Sequence, residues 1–368
     1  MALWRKYVTW SNVIPIVGLL TLAVTLVSGA EGAVVLSLVG VVLAASVLAA
    51  VHHAEVVARR VGEPYGALIL AIAVTVIEVG LILMLMLGGK SGTASLARDT
   101  VFAAVMIACN GIVGMSLLFA RQPSRMPTFR AESSGAALAT VLTLATVTMV
   151  LPTFTMTTPG PTFAPAQLGF VAVASLAVWG AFVFTQTGRN RDLFLAEPSL
   201  DLADVNNVEA EAALVPSNAT AWMSVGLLLA GLVAVVGLAK VATPALEASF
   251  TSVGLPHAFV GVVIAMLVLL PESLAAYRTA RRGFVQTSLN LAYGSAIASI
   301  GLTIPVIAGL SYVLNIVLVL GLDPVHIVLL TLTAIVGVLT VVQGSALRLQ
   351  GALHLVILAS YVFLSAMP

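Results

Sequence analysis

Long apolar runs, separated by short clusters of glycine, proline and charge, recur along this chain from end to end. None alternates apolar with polar positions, so the pattern predicts helices and not barrel strands. Breaking the chain at the clusters predicts spans at about 10–28, 32–52, 64–88, 100–120, 134–152, 167–187, 221–242, 255–277, 285–310, 325–343 and 350–367. Most reach the ~20 residues that cross ~30 Å of hydrocarbon. One long polar stretch, 188–219, interrupts them. It carries Asp192, Glu197, Asp201, Asp204, Glu209 and Glu211 and reads as a flexible cytoplasmic linker.

Six spans precede that linker and five follow it. Setting the first span aside leaves five on each side, and an odd number gives the two halves opposite orientations. This is the arithmetic of an inverted repeat. The predicted fold is an all-α integral membrane protein with eleven transmembrane helices. An extra N-terminal helix occupies 1–31, a first five-helix repeat 32–187, the acidic linker 188–219 and a second five-helix repeat 220–368.

Composition agrees. Of 368 residues, 60% are hydrophobic and 8% charged, with mean hydropathy +1.12; a soluble domain carries about 25% charge. The net charge of +1 gives no basic field for nucleic acid. The single Cys109 excludes a disulfide within the chain and any cysteine-rich metal site. Arg5 and Lys6 flank the first run as they would a signal peptide. Ser28-Gly29-Ala30 is the only cleavage candidate, so the run reads as a retained span.

Lys and Arg placement sets the orientation. With the N-terminus inside, the cytoplasmic segments hold Arg5, Lys6, Arg59, Arg60, Arg121, Arg125, Arg130, Arg189, Arg191, Arg278, Arg281, Arg282 and Arg348, against Lys90, Arg98 and Lys240 outside. The prediction is N-in, C-out.

Ionisable residues inside the spans are scarce. Glu78 lies near the bilayer middle, ~20 Å along its helix from Pro64 at ~1.5 Å per residue. Glu272 follows Pro271 in Met266-Leu-Val-Leu-Leu-Pro271-Glu272-Ser273. A carboxylate there costs several kcal/mol unless it is protonated, paired or hydrated. Each Glu can therefore hold a proton or a cation but not comfortably both, which is the chemistry of proton-coupled exchange. A protonated Glu bonded to a neighbouring helix is the structural alternative. Pro271 either frees a backbone ligand near Leu267 or simply kinks the helix.

Other polar groups fall nearby. Thr75 sits one turn before Glu78, and Ser273 follows Glu272. Ser288, Ser295 and Ser299 share one face of the next span, and Asn290 lies on a second, small-residue face. Asn110 is the comparable group one span after Glu78. Each is a candidate oxygen for the cation path or, alternatively, helix-packing glue. His52, His53, Glu55 and Glu63 are expected at the cytoplasmic end of the second span and the next loop, where interfacial solvation is the ordinary reading and a cation-gathering mouth of His53, Glu55 and Glu63 the functional one. His257, Asp323, His326 and His354 are expected at span ends, facing the interface. No nucleotide, hydrolase or zinc-protease motif is present.

Several of these stretches resemble the ChaA-type calcium/sodium–proton antiporters of the cation/Ca²⁺ exchanger superfamily. The likeness lies in His53-Ala-Glu-Val-Val-Ala-Arg59-Arg-Val-Gly62-Glu-Pro-Tyr-Gly66, in Val76-Ile-Glu78-Val and in Leu270-Pro-Glu272-Ser. It continues through Gln286-Thr-Ser-Leu-Asn290-Leu-Ala-Tyr-Gly294-Ser-Ala-Ile-Ala-Ser-Ile-Gly301-Leu-Thr-Ile-Pro305, Gln343-Gly344 and Leu349-Gln-Gly-Ala-Leu-His354. The resemblance implies that Glu78 and Glu272 are paired cation/proton carboxylates, with Asn110 and the Gly294-Ser295 pair as matching polar elements.

The chain also departs from that pattern. The Gly-Asn that typical Ca²⁺/H⁺ exchangers place before each Glu is Val74-Thr75 and Val268-Leu269, and the Gln after Gly-Ser-Ser-Ile is Ala298. The expected function is a secondary antiporter exchanging Ca²⁺, Na⁺ or K⁺ for H⁺ at Glu78 and Glu272 in a prokaryotic inner membrane. It is expected to need no cofactor and to do no enzymatic chemistry. A cation channel with the same acids as its selectivity site is the alternative.

Overall fold

The computed structural model describes residues 9–29, 32–62, 65–87, 93–121, 126–188, 191–194, 215–256 and 258–368. Among them every named element is helical, and β pairing is confined to one isolated bridge, Thr128 to Ser345. The helices are α1 Trp10–Ser28, α2 Ala33–Val61, α3 Tyr65–Met86, α4 Leu96–Phe119, α5 Ala131–Phe154, α6 Pro165–Thr187 and the short α7 Arg191–Phe194. After the linker come α8 Asn218–Val253, α9 Ala258–Val268, α10 Leu270–Arg281, α11 Val285–Leu314, α12 Pro324–Val341 and α13 Arg348–Ala366. Ten described helices are long and apolar enough to span, or eleven if the bent pair α9 and α10 is one span. This agrees with the predicted fold class. The linker from 195 to 214, Glu63 and His257 lie outside the described residues.

Helix ends differ from the predicted limits for a physical reason. Hydropathy marks the part of a helix that matches hydrocarbon, while the helix itself runs on until something stops it. α2 therefore continues nine residues past 52, to stop at Gly62 with φ +76°, and His53 and Glu55 are helical instead of looped. α8 has 36 residues, ~54 Å at ~1.5 Å each, and stops only before Gly254 at φ +77°.

By contact the chain forms two compact units, each mixing helices from before and after the linker. The first comprises 1–93 and 213–260. In it α8 packs along α1, α2 and α3, and small residues set the closeness. A Cβ on Gly231 would stand 3.2 Å from Ala50 Cβ, and one on Gly80 2.6 Å from Val236 Cγ2.

The second unit comprises 94–212 and 261–368. Its centre is α4, with 89% of its most apolar window buried against 22% for α6, which lies mostly exposed on the outside of the chain. α10, α11, α12 and α13 all pack on α4. Gly114 on α4 and Gly351 on α13 meet backbone to backbone: a Cβ on Gly351 would lie 2.8 Å from both the Gly114 carbonyl oxygen and the Leu118 nitrogen.

Caps fix several ends. Asn315 closes α11 in the left-handed region, φ 54°. Asp323 caps α12, its Oδ1 accepting from the His326 N–H at 2.9 Å while Oδ2 lies 2.8 Å from His326 Nδ1. That imidazole holds the Asp323 carboxyl down at about 2, below its usual 3.8. A folded value below the unfolded one stabilises above the unfolded value and is lost as pH falls through the folded one. The α12 cap should therefore weaken between about pH 4 and 2. Thermal melts of Asp323→Ala should show a loss of about 1 kcal/mol at neutral pH, with Asp323→Asn retaining most of the cap. The carboxylate is half exposed, so solvent screens the charge term to a fraction of that.

Candidate functional site

The two intramembrane glutamates occupy different backbone settings, one in each unit. Glu78 sits inside the unbroken 22-residue α3, 3% exposed, shielded from water and lipid alike. Thr75, 7% exposed, lies on the same face one turn earlier, and its hydroxyl oxygen finds no hydrogen-bond partner among the described residues. A buried, unsatisfied hydroxyl costs about 1–3 kcal/mol. It is the kind of group an ion or water would engage. Replacing it by the isosteric Val removes that unsatisfied group and should leave the melting temperature of the purified protein no lower than wild type.

Glu272 lies at a break. α9 and α10 meet at Leu269 with a 51° bend, and Pro271 and Glu272 form the first turn of α10. Pro271 cannot donate to the carbonyl one turn back, which is what ends α9. Ser273 steadies the junction, its N–H and Oγ donating to the Leu269 carbonyl at 2.9 and 2.7 Å. Glu272 Oε2 is buried, and the residue stands in the first turn of α10. The interruption and bend are what Pro271 predicts, and the Leu269 and Ser273 N–H groups still donate one turn back across the junction.

Within the same unit, α10 packs against the turn of α4 that carries Asn110. That turn, Ile107–Ile112, is π-helical, as is Ser299–Thr303 in α11. Such widened turns occur often at functional sites. Each falls one span after a glutamate, and each contains a candidate polar group, Asn110 in one and Ser299 in the other, with Thr303 beside Ser299 in the same turn, all buried. Cys109 is buried beside Asn110.

The remaining candidates divide. Ser295 is half-buried on α11. Ser288 is a fastener: its Oγ donates to the Ala276 carbonyl at 2.8 Å and lies 2.5 Å from Ser116 Oγ. Asn290 Oδ1 accepts from Gln286 Nε2 at 2.8 Å, and Asn290 Nδ2 donates to the Phe194 carbonyl at the end of α7. His53 is 1% exposed. Its Nε2 lies 2.9 Å from the Ser11 carbonyl and its Nδ1 3.3 Å from Ser224 Oγ, so it ties α2 to α1 and α8. Glu55 is half-buried.

Two groups differ from the sequence reading, one unmentioned there and one placed elsewhere. Asp99 is a further buried carboxylate, but it is paired, 2.7 Å from Arg98 and accepting from Ser95 at 2.9 Å. His354, expected at the interface, is fully buried between Asn110 and Thr340. The only hint was its place inside the apolar run 351–358. Among the described residues no three His, Cys, Asp or Glu side chains converge to hold a metal. A cation bound by one carboxylate would take its other ligands from hydroxyl, amide or backbone oxygens, as hard cations do.

A profile of the sodium/calcium exchanger protein family matches residues 29–188 and 223–367. The y4hA protein of Sinorhizobium fredii, named as an ionic transporter, is 43% identical over 361 residues, 98% of this chain and 96% of its own length. The sodium-potassium/proton antiporter ChaA of Escherichia coli is 32% identical over 327 residues, 89% of this chain and 87% of its own. Among solved structures, the Ca²⁺/H⁺ antiporter protein YfkE superposes with a TM-score of 0.67 at 12% identity, covering 97% of this chain and 99% of that one, a likeness of fold.

Proposed function

Because this chain belongs to the sodium/calcium exchanger protein family, a family of transporters and not of enzymes, we propose that it is a secondary antiporter exchanging Ca²⁺, in competition with Na⁺ and K⁺, for H⁺. Glu78 and Glu272 are the carboxylates at which proton and cation compete. Thr75, Ser273, Asn110, Ser295 and Ser299 supply auxiliary oxygens. The observation that carries this reading is Glu78 itself, 3% exposed in the middle of a helix that is otherwise without charge.

The chemistry follows from the medium. A carboxylate enclosed at membrane depth is tolerated when a proton or a cation neutralises it. Each state excludes the other, so a downhill proton drives an uphill cation with no nucleotide. Alternating access exposes the acids to one side of the membrane at a time. The names of the two antiporters similar to this chain support both the proton coupling and the choice of cations to assay. The excess of Arg and Lys on one set of loops supports an inner-membrane chain with its N-terminus in the cytoplasm and its C-terminus outside.

Proteoliposomes carrying an imposed ΔpH test the proposal. Ca²⁺, Na⁺ or K⁺ uptake should collapse the gradient in fixed proportion and compete pairwise. Cation flux without obligatory proton counterflow would make the protein a channel.

A further inference from the structure

α13 carries a titratable group for which the exchange chemistry above has no role. His354 is fully buried, its Nδ1 3.0 Å from Asn110 Oδ1 on α4 and its Nε2 3.2 Å from Thr340 Oγ1 on α12. Following the donors assigns the hydrogens. Thr333 Oγ1 gives its hydrogen to the Leu329 carbonyl at 2.8 Å, so it accepts from Asn110 Nδ2, 2.9 Å away. The Asn110 amide is thereby turned with Oδ1 toward His354, and Nδ1 is the ring nitrogen that bears a proton.

At the other side of the ring, Thr340 Oγ1 donates to the Val336 carbonyl at 2.8 Å. Nε2 therefore faces an acceptor, or receives the hydrogen if Thr340 turns it away from Val336. Either way Nδ1–H stays on Asn110. No ionised side chain among the described residues pairs with the ring; Asn110 from α4 and Thr340 from α12 are the polar groups within bonding distance.

The glycine contact explains how the ring gets there. Gly351, one turn before His354, lets α13 touch α4 at Gly114, and a Cβ on Gly114 would stand 3.1 Å from His354 Cβ. The helix crossing and the hydrogen bond are one construction.

We propose that His354 is a positioning residue of the ion path: its Nδ1–H holds the Asn110 amide, and with it the widened turn of α4, in one orientation. The inference rests on the reading above, in which Asn110 lends an oxygen to the passing cation. Held this way, Asn110 keeps a second Oδ1 lone pair for a cation. Released, the amide can turn its NH₂ to the same place and repel it.

The test uses ΔpH-driven Ca²⁺ uptake into proteoliposomes by the full chain. His354→Asn can place an amide N–H where Nδ1–H stands, while His354→Gln carries its amide toward Thr340 and His354→Leu carries none. Apparent KM for Ca²⁺ should stay within about twofold of wild type in His354→Asn, with an unchanged pH profile. It should rise about tenfold in His354→Gln and His354→Leu, the worth of one buried hydrogen bond, with kcat little changed. Thr333→Val, an isosteric change on the opposite side of the amide, should do the same, and it carries the test should a His354 variant fail to fold. Two results overturn the proposal. One is normal transport by both His354→Leu and Thr333→Val. The other is equal impairment of Asn and Leu variants with loss of the wild-type pH profile, which would make the ring a proton carrier. Wild-type protein that moves no cation against a proton gradient would instead sink the exchanger reading and this inference with it, before any variant is compared.

Discussion

Glu78→Gln and Glu272→Gln should each abolish proton-driven cation exchange, by roughly a hundredfold or more, while the protein still folds and reaches the membrane. Gln matches protonated Glu in shape and neutrality, so the folded state loses little. What it cannot do is ionise, and removing one partner of a buried charge pair costs ~3–5 kcal/mol in the cation-bound state. The two positions should differ in detail. Glu78 is enclosed in the unbroken α3, so shortening it to Asp withdraws the charge with nothing free to follow. Glu272 opens α10 just after the bend at Leu269 and is only half-buried, so water can fill the gap left by a shorter acid. Glu272→Asp should therefore keep more activity than Glu78→Asp. Uptake into everted vesicles normalised to protein in the membrane measures all four. Wild-type rates from both Gln variants would remove the acids from the mechanism.

The second large effect should appear at Gly351. Its missing Cβ would lie 2.8 Å from two backbone atoms of α4, the Gly114 carbonyl oxygen and the Leu118 nitrogen. Backbone cannot swing aside as a side-chain tip can, so α13 must move. Overpacking of this kind costs ~1–3 kcal/mol. Gly351→Ala should lower the melting temperature of purified protein clearly, and Gly351→Leu should prevent its accumulation. The moved helix also carries His354 away from Asn110, so surviving Gly351→Ala protein should show a raised KM for cation. Gly226 offers the control, since a Cβ there meets nothing within 4 Å.

Much of the fold could be read in advance because lipid imposes a simple rule: apolar length equals span. Trp10–Ser28 and Pro165–Thr187 fall within two residues of the predicted limits. The rule says nothing about where a helix ends outside the hydrocarbon, so α2 and α8 overran. Glu78 stood out because a lone acid among aliphatic residues has no cheap alternative to enclosure. Pro271 announced an interruption, but proline chemistry alone does not distinguish a kink from a break. The π-turns at 107–112 and 299–303 left no trace, since an extra residue per turn has no composition of its own. His354 was misplaced because a position near the end of an apolar run says nothing about which helix faces it. Only the crossing at Gly114 and Gly351 puts Asn110 opposite, and close approach of two backbones is a property of the pair and not of either stretch.

Cys109, in the widened turn next to Asn110, is the one thiol in 368 residues. The protein consequently comes with its own clock. Near neutral pH a maleimide prefers this thiol to the chain's amines, and because the sulfur is buried it reacts only if the turn opens to reagent. The rate of labelling, followed by mass with and without Ca²⁺ or at different pH, counts those openings directly, with no engineered probe to disturb the helix whose breathing is being timed.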